Sequence, residues 1–198
     1  MNHKSTIVIG AGPAGLATSK ILRDYDIDHI VFEKGPEIAD SWRSFYDSLT
    51  LHTGKHLSVL PGMKFNKDTL LFPPKKQFIG YLEEYTEKFK LPVKTSTQVS
   101  KIYKNDKGQW ILETNQGEYS CDFLVLGIGL ATFPFIPKIS GLENFKGEVF
   151  HSIQYKEPSP FKGKNVMVIG AGNSGAEISY ELAQEGIQMR SSNSYCGR

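Results

Sequence analysis

The sequence predicts an α/β protein built from two Rossmann-like βαβ units, the second incomplete. Three observations carry this reading. An apolar strand pattern runs into Gly10-Ala11-Gly12-Pro13-Ala14-Gly15 and then into a helix pattern. Nearly the same string returns at Gly170-Ala171-Gly172-Asn173-Ser174-Gly175. A second apolar strand with an acidic end, His29 to Glu33, follows the first copy, whereas GIQMRSSNSYCGR after the second copy contains no apolar strand.

The elements follow in order. Thr6 to Ile9 is a short apolar run that reads as a buried parallel strand. From Ala14 to about Asp24, Leu16, Ile21 and Leu22 share a helical face. His29 to Glu33 completes a βαβ unit. Asp40 to Pro61 is loop-like, and Phe72-Pro73-Pro74 stops regular structure. Lys75 to Lys90 is an amphipathic helix. Phe78, Tyr81, Leu82, Tyr85 and Phe89 lie on one face, and Glu83, Glu84, Glu87 and Lys88 on the other. Val99 to Lys104 and Trp110 to Thr114 flank Asn105-Asp106-Lys107-Gly108, a hairpin signal. Tyr119 to Leu126 is a further strand closing at Gly127-Ile128-Gly129. Residues 131–141, with Pro134, Pro137 and Gly141, read as a crossover between a first domain over 1–140 and the start of a second over 141–198. Pro158 and Pro160 mark an irregular stretch. Val166 to Ile169 is then a strand and Ala176 to Glu185 a helix.

Each glycine in the first turn has a separate task. Gly10 permits the tight turn, Gly12 lets backbone approach a pyrophosphate, and Gly15 lets helix and strand pack closely. The helix N-terminus offers free N–H groups and partial positive charge to phosphates. Glu33 ends the next strand, where a carboxylate accepts hydrogen bonds from ribose hydroxyls. A bare βα turn needs one glycine rather than three. Two dinucleotide turns imply two dinucleotides, most economically one tightly held flavin and one exchanging nicotinamide that passes it a hydride. The residue that would confirm the second turn belongs near position 193. Arg190 has two readings, a partner for a 2′-phosphate or a solvated arginine.

Bulk composition excludes several other classes. The chain has 198 residues, 39% hydrophobic and 22% charged, with net charge +2, so it carries no basic footprint for nucleic acid. No apolar run approaches the roughly 18 residues of a membrane helix. The start lacks a secretory pattern, so a cytoplasmic location is expected. Cys121 and Cys196 form no CxxC, and the histidines His3, His29, His52, His56 and His151 show no ligand spacing with them, so no metal site is expected. No Ser-His-Asp group or carboxylate pair has convincing spacing, so no catalytic side chain is assigned.

From about Ser5 to about Ile187 the chain resembles the flavin-containing monooxygenases, including the plant YUCCA-type enzymes and their bacterial relatives. The most specific match is Phe145-x-Gly147-x-x-x-His151-x-x-x-Tyr155, which fits the family's FxGxxxH pattern with an aromatic four residues on. Ser41-Trp42-Arg43, Tyr46-Asp47-Ser48-Leu49, Leu51-His52-Thr53 and Leu60-Pro61-Gly62 continue the likeness. Gly127-Ile128-Gly129, leading into Phe135-Ile136-Pro137, takes the place of the family's ATG-like segment.

The resemblance implies FAD and NADPH as cofactors. Its implied cofactor-binding set is Gly10, Gly12, Pro13, Ala14, Gly15, Glu33, Lys34, Ser41, Trp42, His52, Thr53, Val99, Gly127, Gly129, Gly170, Gly172, Asn173, Ser174 and Gly175. Trp42 lies against the flavin or fills the interior, and the resemblance favours the flavin side. By itself His151 is read more readily as a packed histidine than as a catalyst, and the resemblance gives it a positioning role. His52 stands where some branches carry an asparagine. The implied cycle passes hydride from NADPH to FAD, adds O2 to give a C4a-hydroperoxide, and transfers one oxygen to a small organic substrate. Two alternatives stand beside it: a flavin reductase without oxygenation, and a weakly active FAD-binding fragment. Family members continue well past the second turn. The chain is therefore expected to be truncated, with a second domain that lacks its next strand.

Overall fold

The computed structural model describes residues 2–129 and 134–192. Position 193, Cys196 and the start of the 131–141 crossover lie outside the described residues. Two compact units are formed, one from residues 1–44 and 50–133, the other from 45–49 and 134–198.

The first unit is built on a six-stranded sheet of order β3-β2-β1-β6-β5-β4. Its strands are β1 (Asn2–Ile9), β2 (His29–Phe32), β3 (Val93–Lys94), β4 (Val99–Lys104), β5 (Trp110–Thr114) and β6 (Gly117–Leu126). β1 pairs in parallel with β2 and β6, and β2 with β3. β4, β5 and β6 are antiparallel neighbours, so the predicted hairpin is present. Parallel strands covered on both faces read as continuous apolar runs. Ile7 and Val8 accordingly turn to opposite faces of the sheet and are both fully buried.

The helices of this unit each place a side chain in or against its core. α1 (Pro13–Asp24) starts with Pro13 in its first turn, where the absent N–H costs nothing. Short α2 (Asp40–Arg43) occupies part of the stretch expected to be a loop. α3 (Lys75–Lys88) buries Phe78, Ile79, Tyr81, Leu82 and Tyr85, as its apolar face requires. Of these, Phe78, Tyr81, Leu82 and Tyr85 pack with Val8, Leu16, Val31 and Leu91 into one cluster, against which Trp42 and Phe89 lie half-buried. The Tyr81 hydroxyl donates to the Met63 carbonyl (2.9 Å) and that of Tyr85 to the Pro61 carbonyl (2.8 Å), so α3 also pins the long polar loop. Burial raises the pKa of both phenols, so both remain donors.

The second unit holds β7 (Asn165–Ile169), α4 (Asn173–Gln184) and β8 (Gln188–Ser192), with β7 and β8 parallel. The expectation that no strand follows the second glycine turn is corrected by β8. Its five residues include a single apolar side chain, Met189, so hydropathy could not show it. Pairing defines it instead, from Asn165↔Gln188 to Ile169↔Ser192. Strand formation here follows tertiary context rather than local preference. Ile178 and Leu182 of α4 pack with Ile187, Val166 and Val168, and the same cluster takes in Tyr46, Leu49, Phe150 and Tyr155.

Candidate functional site

In the first unit the glycine turn has the form a phosphate cradle needs. Gly10 sits at φ +101°, and a Cβ there would stand 2.4 Å from the Gly127 carbonyl oxygen. A Cβ on Gly15 would stand 1.8 Å from the Gly10 carbonyl oxygen, so strand end and helix start meet backbone to backbone. A Cβ on Gly12 would meet nothing within 4 Å. That side of the turn is open, and α1 begins there with no acidic residue in its first turn. Its first N–H groups have no acceptor within the helix.

Glu33 is buried beneath this turn. One carboxylate oxygen accepts from the Ala11 N–H (2.9 Å) and the other from the Gly35 N–H (3.0 Å). Each oxygen keeps a further lone pair for a ribose hydroxyl. Gly35 is close-packed as well, since a Cβ there would fall 2.2 Å from the Asp40 carboxyl carbon. Sequence reasoning named Glu33 but missed Ala11 and Gly35. The readable signal was a glycine two positions after the acidic residue. Gly127 donates its N–H to the Ile9 carbonyl (2.8 Å) and backs the turn, and Gly129 follows at φ +71°.

The remaining expected residues are more scattered. Pro13 and Ala14 open α1. Lys34 and Ser41 are exposed, Ser41 lying in α2. Trp42 packs edge-on against Phe78, ring centroids 4.6 Å apart, so much of its surface fills the core wall. His52 and Thr53 are exposed on the following loop, with the Thr53 hydroxyl against that of Ser58 (2.5 Å). Val99 opens β4 and packs beside the Ile7–Phe32 cluster. Among the described residues no group of three His, Cys, Asp or Glu could hold a metal ion.

The second unit repeats the first turn closely. Gly170 has φ +116°, a Cβ on Gly175 would lie 2.1 Å from the Gly170 carbonyl oxygen, and one on Gly172 would meet nothing within 4 Å. Asn173 and Ser174 open α4, whose first turn is free of acidic residues. Gly170 donates to the Ser192 carbonyl (3.0 Å), as Gly10 does to that of Phe32 (2.7 Å). Arg190 lies mid-strand in β8 and is exposed.

The FxGxxxH stretch resolves into local parts. The Phe145 ring lies over Gly147, where a Cβ would come 2.5 Å from it. His151 caps a short 3-10 turn over Ser152–Gln154: its Nδ1 accepts from the Ile153 N–H (3.2 Å), and its own N–H donates to Gln154 (3.1 Å). That turn delivers Tyr155 to α4, where its hydroxyl donates to Glu181 (2.7 Å). His151 is thus tied into this local turn.

Strand, glycine turn, helix and strand appear twice with the same backbone geometry. A family model described as pyridine nucleotide-disulphide oxidoreductase matches residues 7–194. The chain belongs to that family. Among its curated relatives, oxidoreductase CzcO of Bacillus subtilis (strain 168), described as uncharacterized, is 38% identical over 92% of this chain and 52% of its own length. The probable indole-3-pyruvate monooxygenase YUCCA8 of Arabidopsis thaliana is 38% identical over 89% of this chain and 44% of its own. Among solved structures, a flavin-containing monooxygenase from Stenotrophomonas maltophilia aligns with TM-score 0.91 at 26% identity, over 96% of this chain and 58% of that one. The chain spans about half the length of the curated relatives it matches.

Despite the family's description, the described residues hold no dithiol. Cys121 is free and fully buried in β6. Burial pushes its thiol up to about 11. Reactivity follows the thiolate. Iodoacetamide at about pH 8 is therefore expected to leave Cys121 unmodified in the native chain and to alkylate it in denaturant, as read by peptide mass spectrometry.

Proposed function

We propose that the chain is the dinucleotide-binding part of an FAD- and NADPH-dependent monooxygenase-type oxidoreductase. The observation that carries this is the doubled glycine turn, each copy open at its middle glycine and each opening a helix free of acid in its first turn. Flavin belongs to the first unit, because Glu33 waits there for a ribose and Gly127 backs the turn. Gly10, Gly12, Pro13, Ala14 and Gly15 hold the pyrophosphate, with Lys34, Ser41, Trp42, His52, Thr53, Val99 and Gly129 completing that unit's set. The nicotinamide nucleotide belongs to the second unit, on Gly170, Gly172, Asn173, Ser174 and Gly175. FAD supplies hydride acceptance from NADPH and, once reduced, activation of O2 for transfer to a small organic substrate. The protein's own residues bind, orient and shield. A cytoplasmic setting belongs to the same reading.

The test is an anaerobic NADPH titration of the purified, flavin-loaded chain, following the visible flavin bands. Bleaching is the expected result. Flavin that stays oxidised would overturn hydride transfer between the two turns. Admitting oxygen afterwards separates monooxygenation, which leaves oxygenated product, from plain reduction, which leaves peroxide alone.

A further inference from the structure

Charge is unevenly spread along the chain. Between Asp47 and Glu83 stand five lysines and one acid, Asp68, a net charge of +4, whereas the whole chain carries +2. The same stretch exposes large apolar side chains. Leu70, Leu71 and Phe72 are consecutive and, with Leu57, are between 49% and 74% exposed. Single exposed leucines are ordinary, but an exposed run of three apolar residues is costly unless it has a function.

Backbone bonds fix this display. The Leu51 N–H donates to the Pro73 carbonyl (2.9 Å) and the Lys55 N–H to that of Leu71 (2.7 Å), so the two ends of the loop run side by side. The Lys55 ammonium donates to the Lys67 carbonyl (3.0 Å) and the Thr69 carbonyl (2.6 Å), which hold it without cancelling its charge. Lys64 and Lys67 precede the apolar run and Lys76 follows it, all three exposed. On α3, Glu83 is paired with Arg43, and Glu84 accepts from Asn66 (3.4 Å).

We propose that this loop docks the chain on an anionic lipid bilayer surface. Leu57, Leu70, Leu71 and Phe72 enter the headgroup boundary, and the lysines meet lipid phosphates. The chemistry favours lipid over a protein partner. Protein interfaces are depleted in lysine and enriched in arginine, and the stretch between Asp47 and Glu83 has no arginine. Lysine stems lie along apolar surface while their ammonium heads reach outward, which suits leucines immersed beside phosphates. Attraction to an anionic leaflet grows with each lysine near its surface. Among the described residues no helix is long and apolar enough to cross a membrane, and this docking needs none.

The experiment is co-sedimentation of the full chain with two kinds of vesicle, one of phosphatidylcholine alone and one of equal parts phosphatidylcholine and phosphatidylglycerol. Binding is expected to the mixed vesicles only, and to fall with added salt. Leu71→Ser/Phe72→Ser and Lys64→Glu/Lys67→Glu should each weaken it about tenfold or more. Lys101→Glu/Lys104→Glu makes the same change in net charge on β4, at the edge of the sheet, and should stay within about twofold of wild type. All these positions are exposed, so Tm should stay close to wild type. The lipid and salt dependence of the wild type needs no variant. Equal sedimentation with both vesicles, none with the mixed ones, or equal loss in the β4 variant overturns the proposal. A chain that ignores the mixed vesicles but binds polyglutamate overturns it in favour of an acidic protein partner.

Discussion

Replacing Gly10 with alanine is expected to abolish flavin retention. Gly10 is held at φ +101°, and the added Cβ would press to 2.4 Å from the Gly127 carbonyl oxygen. A non-glycine residue forced into such a conformation costs about 1–3 kcal/mol. The contact is with backbone, which cannot swing aside, so overpacking adds about 1–3 kcal/mol. The turn must then open, moving Ala11, Gly12 and the start of α1 together. We expect FAD affinity to fall by about 100-fold or more, since each 1.4 kcal/mol is about tenfold. Flavin fluorescence quenching measures this directly. An alanine variant that keeps wild-type affinity would show that the turn does not carry the flavin. Gly12→Ala makes a sharp contrast. Its Cβ meets no protein atom within 4 Å, so it should leave the apo fold intact and weaken only dinucleotide binding.

The second large effect is expected at Glu33. Alanine there strands the Ala11 and Gly35 N–H groups, each of which now donates to a different carboxylate oxygen. An unpaired buried donor costs about 1–3 kcal/mol. The variant should lose several degrees of Tm and elute from gel filtration without flavin. Glutamine is more informative. It keeps one acceptor, but its amide NH2 must face one of the two N–H donors. Glu33→Gln should therefore fall between wild type and alanine in Tm while still binding FAD poorly. Absorbance ratios of flavin to protein, read alongside melting curves, separate the two effects. A Glu33→Ala chain that holds flavin at full stoichiometry would sink the ribose role.

Much of this molecule could be read from its residues because local chemistry and fold agree there. The three glycines of each turn, the apolar stripe of α3 and the Asn105–Gly108 turn are all local patterns, and each appears where the pattern places it. What was hidden depends on distant partners. β3 is two residues long and exists because Val93 and Lys94 pair with β2. β8 is polar and exists because β7 offers it a ladder. Trp42 reads equally as a flavin contact or core filler, and its packing on Phe78 depends on a helix more than 30 positions later. Tyr46 sits in a polar stretch, and nothing local marks it for the buried cluster beside α4. The two oxygens of Glu33 show the same limit. The acid was legible, but the division of its oxygens between Ala11 and Gly35 was not.

The place of Phe45–Leu49 in the second unit also bears on how the chain acquires its fold. Tyr46 and Glu177, which share a hydrogen bond, are 131 positions apart. During synthesis from the N-terminus, Tyr46 is made long before α4 exists to receive it. Contacts of such wide separation carry a loop-closure cost and slow folding. The second unit therefore cannot mature as an independent late module, and a fragment beginning at Pro134 would lack Tyr46 and Leu49, leaving the Ile178–Leu182 face of α4 short of cover. Its completion is tied to a segment that the ribosome releases well before α4.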